Sequence, residues 1–154
     1  MADDASWTTQ QKKTIGDVAV DGLLAGMAAG LAMVGVLLVA GLLNGMGVTE
    51  TLSRFDPGSD ASPVVGALLH LAVAGLYGVV FAAISRLAGR RFGGPLYGWL
   101  LGAAYGLLVW VVAQFVLLPS LGIALTDIPL AQFIAAHLLY GAVLGYLLER
   151  HQPA

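Results

Sequence analysis

Two histidines stand alone in otherwise apolar stretches of this 154-residue chain, His70 and His137. Each follows a proline at nearly the same distance: His70 is seven residues after Pro63 and His137 eight after Pro129. If both stretches are helices, both imidazoles lie roughly 10–13 Å along them by helix rise. Three readings of that pair are open. Each ring can bond a backbone carbonyl, Tyr140 or Gln114 across helices. The two can serve as the axial pair of a b-type haem, with small residues making room for the macrocycle. They can also line a path or bind another ligand. A zinc site is not expected, because two imidazoles under-coordinate zinc and no carboxylate lies near. Gln114, Gln132 and Tyr140 are the other polar side chains singled out inside apolar runs, with Tyr77 and Tyr105 adding hydroxyls.

Other chemistry finds little footing. Cysteine is absent, which removes disulfides, thiolate metal sites and cysteine nucleophiles. The serines lie in tails, connections or span ends, and no phosphate-binding glycine loop follows a strand. No carboxylate falls in the middle of an apolar run, so a four-helix proton-coupled exporter lacks its acid. The expectation is a protein that is not an enzyme. Net charge is −2, which makes no case for nucleic acid.

The elements that carry these residues follow from hydropathy. The chain is 58% hydrophobic and 10% charged, with mean hydropathy +0.86. Soluble domains carry about 25% charged residues. Four apolar stretches, residues 22–43, 63–85, 95–118 and 128–148, are each long enough to cross a hydrocarbon core of about 30 Å. Lipid offers the backbone no hydrogen bonds, so all four must be helical. The predicted fold is all-α: one transmembrane domain, residues 1–154, folded as an integral four-helix bundle. Six of the seven basic residues (Lys12, Lys13, Arg86, Arg90, Arg91 and Arg150) fall on one side of this pattern, and only Arg54 on the other. The positive-inside rule puts both termini of this multi-pass chain in the cytoplasm, and the expected address is a bacterial inner membrane. The acidic leader and long first apolar run read as a retained anchor rather than a cleaved signal.

Thr14-Ile-Gly-Asp17 predicts a capping box before the first helix. Trp7 suits an interfacial depth, although a solvated tail explains that segment equally. Val48, Leu52 and Phe55 predict a short helix on the outer membrane surface, followed by a turn at Asp56-Pro57-Gly58. Asp60 and Asp127 suit caps at outer helix starts. Residues 119–127 read as a short second outer loop. Trp110 falls on a glycine-bearing helix face, where its indole N–H seeks a polar neighbour.

Small residues recur every four positions and so mark one face per helix. These are Gly22, Gly26 and Gly30 in the first, Gly66 and Gly78 in the second, Gly98, Gly102 and Gly106 in the third, and Gly141 and Gly145 in the fourth. Such faces let helix backbones approach closely in lipid. They also suggest two tandem hairpins related by a parallel internal repeat. A shift of 72 lays Gly26 on Gly98, and a shift of 67 lays His70 on His137. The same faces can instead seat another subunit.

Ala136-His137-Leu-Leu-Tyr140-Gly141-Ala-Val-Leu-Gly145 resembles the His-Leu-x-Tyr-Gly-x-x-x-Gly signature of small YagU-like bacterial inner-membrane proteins. The second span departs from it, with Val73 and Ala74 where the fourth has Tyr140 and Gly141. The resemblance implies a membrane address and a bundle, and no activity. The leading functional expectation is a non-catalytic accessory or scaffold subunit of a respiratory or photosynthetic electron-transport complex, without a cofactor. Its partners are the lipid bilayer and other membrane-protein subunits. A haem-binding electron carrier using His70 and His137 is the first alternative. An oligomeric small-solute transporter or channel, a homo-oligomer lined by Gln114, Gln132, His70, His137 and Tyr140, is the second.

Overall fold

The computed structural model describes residues 13–87, 95–121 and 129–150. Trp7, Lys12, Arg90, Arg91 and Asp127 lie outside the described residues, as does residue 128, the expected start of the fourth span.

Helix α1 covers Ile15–Leu43. Its start is set by Thr14, whose hydroxyl accepts from the Asp17 N–H at 3.2 Å while the Thr14 N–H donates to the Asp17 carboxylate at 2.8 Å. This capping box satisfies donors that a helix start leaves open, and begins the helix seven residues before the apolar run. Asn44 caps the other end, and Gly45, at φ +80°, turns the chain away, a conformation other residues rarely adopt.

Helix α2 covers Val48–Ser53 and α3 covers Pro63–Leu87. Ser62, rather than Asp60, caps α3: its hydroxyl accepts from the Val65 N–H at 3.5 Å. Pro63 then fits the first helical position, where no N–H is needed. Helix α4 covers Pro95–Val112, widens into a π turn at Ala113–Leu117 and ends with Leu118–Leu121. Helix α5 covers Leu130–Arg150. The third span thus runs past the expected loop start at Pro119. Proline inside a helix clashes with the carbonyl four residues back, here that of Phe115, and a widened turn relieves the clash. Within the turn the Leu118 N–H reaches the Ala113 carbonyl. The Ser120 hydroxyl donates to the Val116 carbonyl at 2.6 Å.

Four helices are long and apolar enough to cross a membrane among the described residues: α1, α3, α4 with its continuation, and α5. Their outward faces carry leucine and valine. Leu24, Leu68, Leu76, Leu100 and Leu108 are each more than half exposed, whereas Ala29, Leu37, Ala136 and Leu144 are fully buried. Apolar side chains on the outside fit lipid, not water. The chain is a multi-pass membrane protein.

Helix α1 packs along α3, α4 along α5, and α1 against α5. Helices α3 and α4 stand at the two ends of this bent row and scarcely meet. Glycines make both hairpin contacts. A Cβ on Gly22 would meet the Gly78 carbonyl at 2.7 Å, and one on Gly26 the Ala74 carbonyl at 2.5 Å. In the second hairpin a Cβ on Gly102 would collide with the Gly141 carbonyl, and one on Gly106 with that of His137. The contacts also correct the register of the repeat. Gly26 meets Ala74 and Gly78 as Gly102 meets Gly141 and Gly145. The first helices therefore match by a shift of 76 (26 to 102), one turn beyond 72, while the second helices keep 67 (78 to 145). Glycines every four residues look alike after a one-turn slip; only the partner helix distinguishes the registers.

Helix α2 does not lie with its apolar side in lipid. Thr51 is fully buried against Gly41, the Leu52 backbone lies on Gly66, and Phe55 is buried. Val48 is the half-exposed one. The segment is a lid over the ends of α1 and α3.

Candidate functional site

A cavity of about 330 Å³ lies where α3 and α4 fail to close on each other. Helix α3 contributes Leu69, His70, Val73, Ala74 and Tyr77, and α4 contributes Val109 and residues around the π turn. Met33 of α1 and Phe133, His137 and Tyr140 of α5 complete the walls, with Phe55 and Pro57 above. The α3 contributors other than Tyr77 come from the first half of that helix, and the α5 contributors lie no further along than its middle. The cavity therefore occupies the half of the bundle nearest α2. Leu69 and Val73 are 40% and 43% exposed, so the rim on α3 opens sideways toward lipid.

The π turn belongs to this site. Ala113, Leu117 and Leu118 line the cavity, and the extra residue in the turn re-aims side chains that a regular helix would send elsewhere. Phe55 and Pro57 are held by the turn between them. The Asp56 carboxylate accepts the Ser62 N–H at 2.9 Å and the Gly58 N–H at 2.9 Å. Those two bonds, that from Ser62 first, hold its pKa below the ordinary 3.8.

The structure brings His70 and His137 to one cavity, at matched positions of the two hairpins. His137 is buried; its Nδ1 lies 2.9 Å from the Phe133 carbonyl of its own helix, and its ring meets Phe133 edge-on at 4.5 Å. His70 reaches across to α1, with Nε2 3.3 Å from the Gly30 carbonyl, and packs on Phe55 at 4.7 Å. A carbonyl only accepts, so both of these ring nitrogens carry the hydrogen.

Two tyrosines tie the second hairpin to α3 across the gap. The Tyr140 hydroxyl donates to the Ala74 carbonyl at 2.7 Å, and the Tyr105 hydroxyl to the Tyr77 carbonyl at 2.8 Å. Tyr105 also packs on Phe81 at 4.8 Å. Tyr140 thus bonds α3 and neither histidine. Gln132 lies away from the cavity, accepting from the Asn44 amide at 3.0 Å, which joins the end of α1 to the start of α5. Gln114 sits half-buried in the π turn and is not part of the lining. The indole N–H of Trp110 is buried with no hydrogen-bond partner among the described residues, contrary to the expected polar neighbour. Among the described residues no three His, Asp or Glu side chains group as metal ligands.

At the opposite end, Arg86 donates to the Thr14 carbonyl at 3.0 Å, and Lys13 pairs with Asp21 at 2.6 Å. Gly98, in the first turn of α4, packs against the Glu149 carboxylate, an acid at the positive end of a helix.

Sequence reasoning missed Phe55 and Pro57 as cavity walls and Tyr105 as a tie. The signal for Phe55 was a large apolar residue beside Asp56-Pro57-Gly58 in a polar connection.

Fold and site together define a small multi-pass membrane protein, a glycine-locked bundle with a side-opening apolar cavity. The chain belongs to a family of unknown function, DUF6789, whose model matches residues 16–154. No curated protein and no solved structure matches it.

Proposed function

We propose that the chain is a non-catalytic accessory or scaffold subunit of a larger membrane assembly, of the respiratory or photosynthetic electron-transport kind. The observation that supports this is the unequal covering of its helices. Only 17% of the membrane-crossing stretch of α4 is buried, against 39% in α1 and α5. Helix α4 packs mainly on α5, touches α3 through Tyr105, and offers much of its remaining surface to whatever lies beside it. Its first half carries exposed Tyr97 and Trp99, residues suited to the membrane interface. The reading places both termini on the cytoplasmic side, with Arg86 and Arg150. It keeps the bacterial inner-membrane address that the YagU-like signature at Ala136–Gly145 implies.

A photo-crosslinking amino acid at Leu108, which is 58% exposed on α4, tests the reading in native membranes. A discrete adduct with a foreign membrane subunit is the expected result, and redox cofactors in that subunit would fix the kind of assembly. Adducts with lipid alone refute it. Adducts with a second copy favour the oligomeric transporter.

The geometry does not favour the haem reading. His70 commits Nε2, the nitrogen at the tip of its ring, to Gly30, leaving Nδ1, which its own Cβ crowds. The transporter reading loses Gln114 and Gln132 from its lining.

A further inference from the structure

We propose that the cavity between α3 and α4 binds the hydroquinone head of an apolar-tailed molecule, which donates its hydroxyl hydrogens to His137 and His70. This goes beyond the accessory role and holds or fails independently of it.

The argument runs through hydrogen-bond polarity. His137 donates from Nδ1 to the Phe133 carbonyl, so in the neutral ring Nε2 is a bare acceptor. His70 donates from Nε2 to the Gly30 carbonyl, so its Nδ1 is the acceptor. Neither second nitrogen has a hydrogen-bond partner among the described residues. Two of the nearby hydroxyls are already used, Tyr140 on the Ala74 carbonyl and Tyr105 on the Tyr77 carbonyl. The two imidazole acceptors are left without donors. A ligand with only carbonyl or ester oxygens leaves both of them unmatched, and one with O–H groups supplies the hydrogens they lack.

The walls select the rest. Phe55, Tyr77, Phe133 and Tyr140 line the space, and aromatic faces and edges suit a planar ring. A volume of about 330 Å³ is at the small end of ligand sites, enough for a substituted ring and the first atoms of a tail. The tail leaves past Leu69 and Val73 into lipid. Hydrocarbon surroundings leave a buried imidazole acceptor without water, so a matched donor is worth more there than in an aqueous cleft.

Binding of three radiolabelled probes to the purified full chain in detergent tests this: decylhydroquinone kept reduced with dithionite, its dimethyl ether, and 4-decylcyclohexanol. The hydroquinone should bind about tenfold more tightly than the ether, the loss of one or two hydrogen bonds. It should also exceed the cyclohexanol, which has the hydroxyl without the aromatic ring. In His137→Leu the preference over the ether should shrink toward unity, with ether binding retained as evidence of a folded cavity. If that variant does not fold, Val73→Trp fills the rim and should abolish binding of all three. Equal binding of hydroquinone and ether overturns the proposal, as does cyclohexanol binding as tightly as the hydroquinone. Unchanged binding in Val73→Trp, or no binding of the hydroquinone to the unaltered chain, overturns it too.

Discussion

The hairpins α1–α3 and α4–α5 share one interface and differ in the faces they turn to each other. Gly22, Gly26 and Gly30 meet α3 as Gly98, Gly102 and Gly106 meet α5. On the inner faces the match ends. Where the second hairpin has Tyr105 and Tyr140, the first has Ala29 and Val73. Both tyrosine hydroxyls donate to α3 carbonyls, and nothing in the first hairpin answers them from the matched positions. Helix α4 has a π turn where α1 runs regular through Leu37–Gly41. The difference teaches that a backbone lock and a side-chain site obey different rules. The lock works by having no side chain, so there is little in it to change. The faces around the cavity are built from side chains, so two hairpins with the same lock can differ there and leave a gap between α3 and α4.

Breaking the lock should have the largest effect, and the same one in either hairpin. Leucine at Gly102 would drive into the Gly141 backbone, and leucine at Gly26 into that of Ala74 and Gly78. Backbone cannot rotate out of the way, so each variant should lose more than about 3 kcal/mol. The check is the yield and melting of protein extracted in mild detergent. Gly35 is the control, because a Cβ there meets nothing within 4 Å. Gly35→Ala should melt at the same temperature or stabilise by up to about 1 kcal/mol through helix propensity. A Gly102→Leu variant that melts like the unaltered chain would remove these glycines from the interface.

How much of this was readable in the residues divides along the same line. Hydropathy gave the four spans because lipid leaves the backbone no choice but helix. Thr14 and Asp17 announced the first cap, and the glycine spacing named the packing faces. Neighbours were not readable, since periodicity picks a face without saying what it meets. The repeat register slipped by one turn for that reason. Nothing in the residue pattern pairs Thr51 with Gly41, or the Gln132 oxygen with the Asn44 amide. Nothing local to Pro119 shows that a π turn carries the helix past it. The two histidines stood out by chemistry; which of their nitrogens remains free was set by the carbonyls of Gly30 and Phe133.

The tyrosine ties sharpen the comparison at the next level down. Tyr140→Phe keeps the ring and removes the bond to Ala74, so it should cost about 0.6–1.5 kcal/mol. The Ala74 carbonyl keeps its helical partner, so no orphan is created. Tyr105→Phe should cost less, because Tyr105 is less buried than Tyr140. If the ties hold α3 and α4 at their spacing, the double variant should lose more than the sum of the two, measured by melting in detergent. A strictly additive pair would mean that each tyrosine is a local contact and that the cavity width is set by the glycine locks alone.

The smallest effect is expected in the lid, which belongs to the first hairpin. Asp56 accepts the Ser62 and Gly58 N–H groups only as the bonds dictate for a charged carboxylate, so its folded pKa lies below the ordinary 3.8. A depressed pKa means that the contribution is complete above the unfolded value and fades as pH falls through the folded one. The amide proton shifts of Gly58 and Ser62 should therefore hold steady down to about pH 4 and move only below it. Asp56→Asn should abolish that movement while leaving α3 helical from Pro63. Phe55, beside Asp56, packs on His70, so the same titration should perturb the Phe55 ring signals, and through them the cavity, without melting the glycine-locked helices. A midpoint at or above 3.8 would show that the turn does not favour the carboxylate, and that the lid is held by Thr51 and Phe55 packing alone.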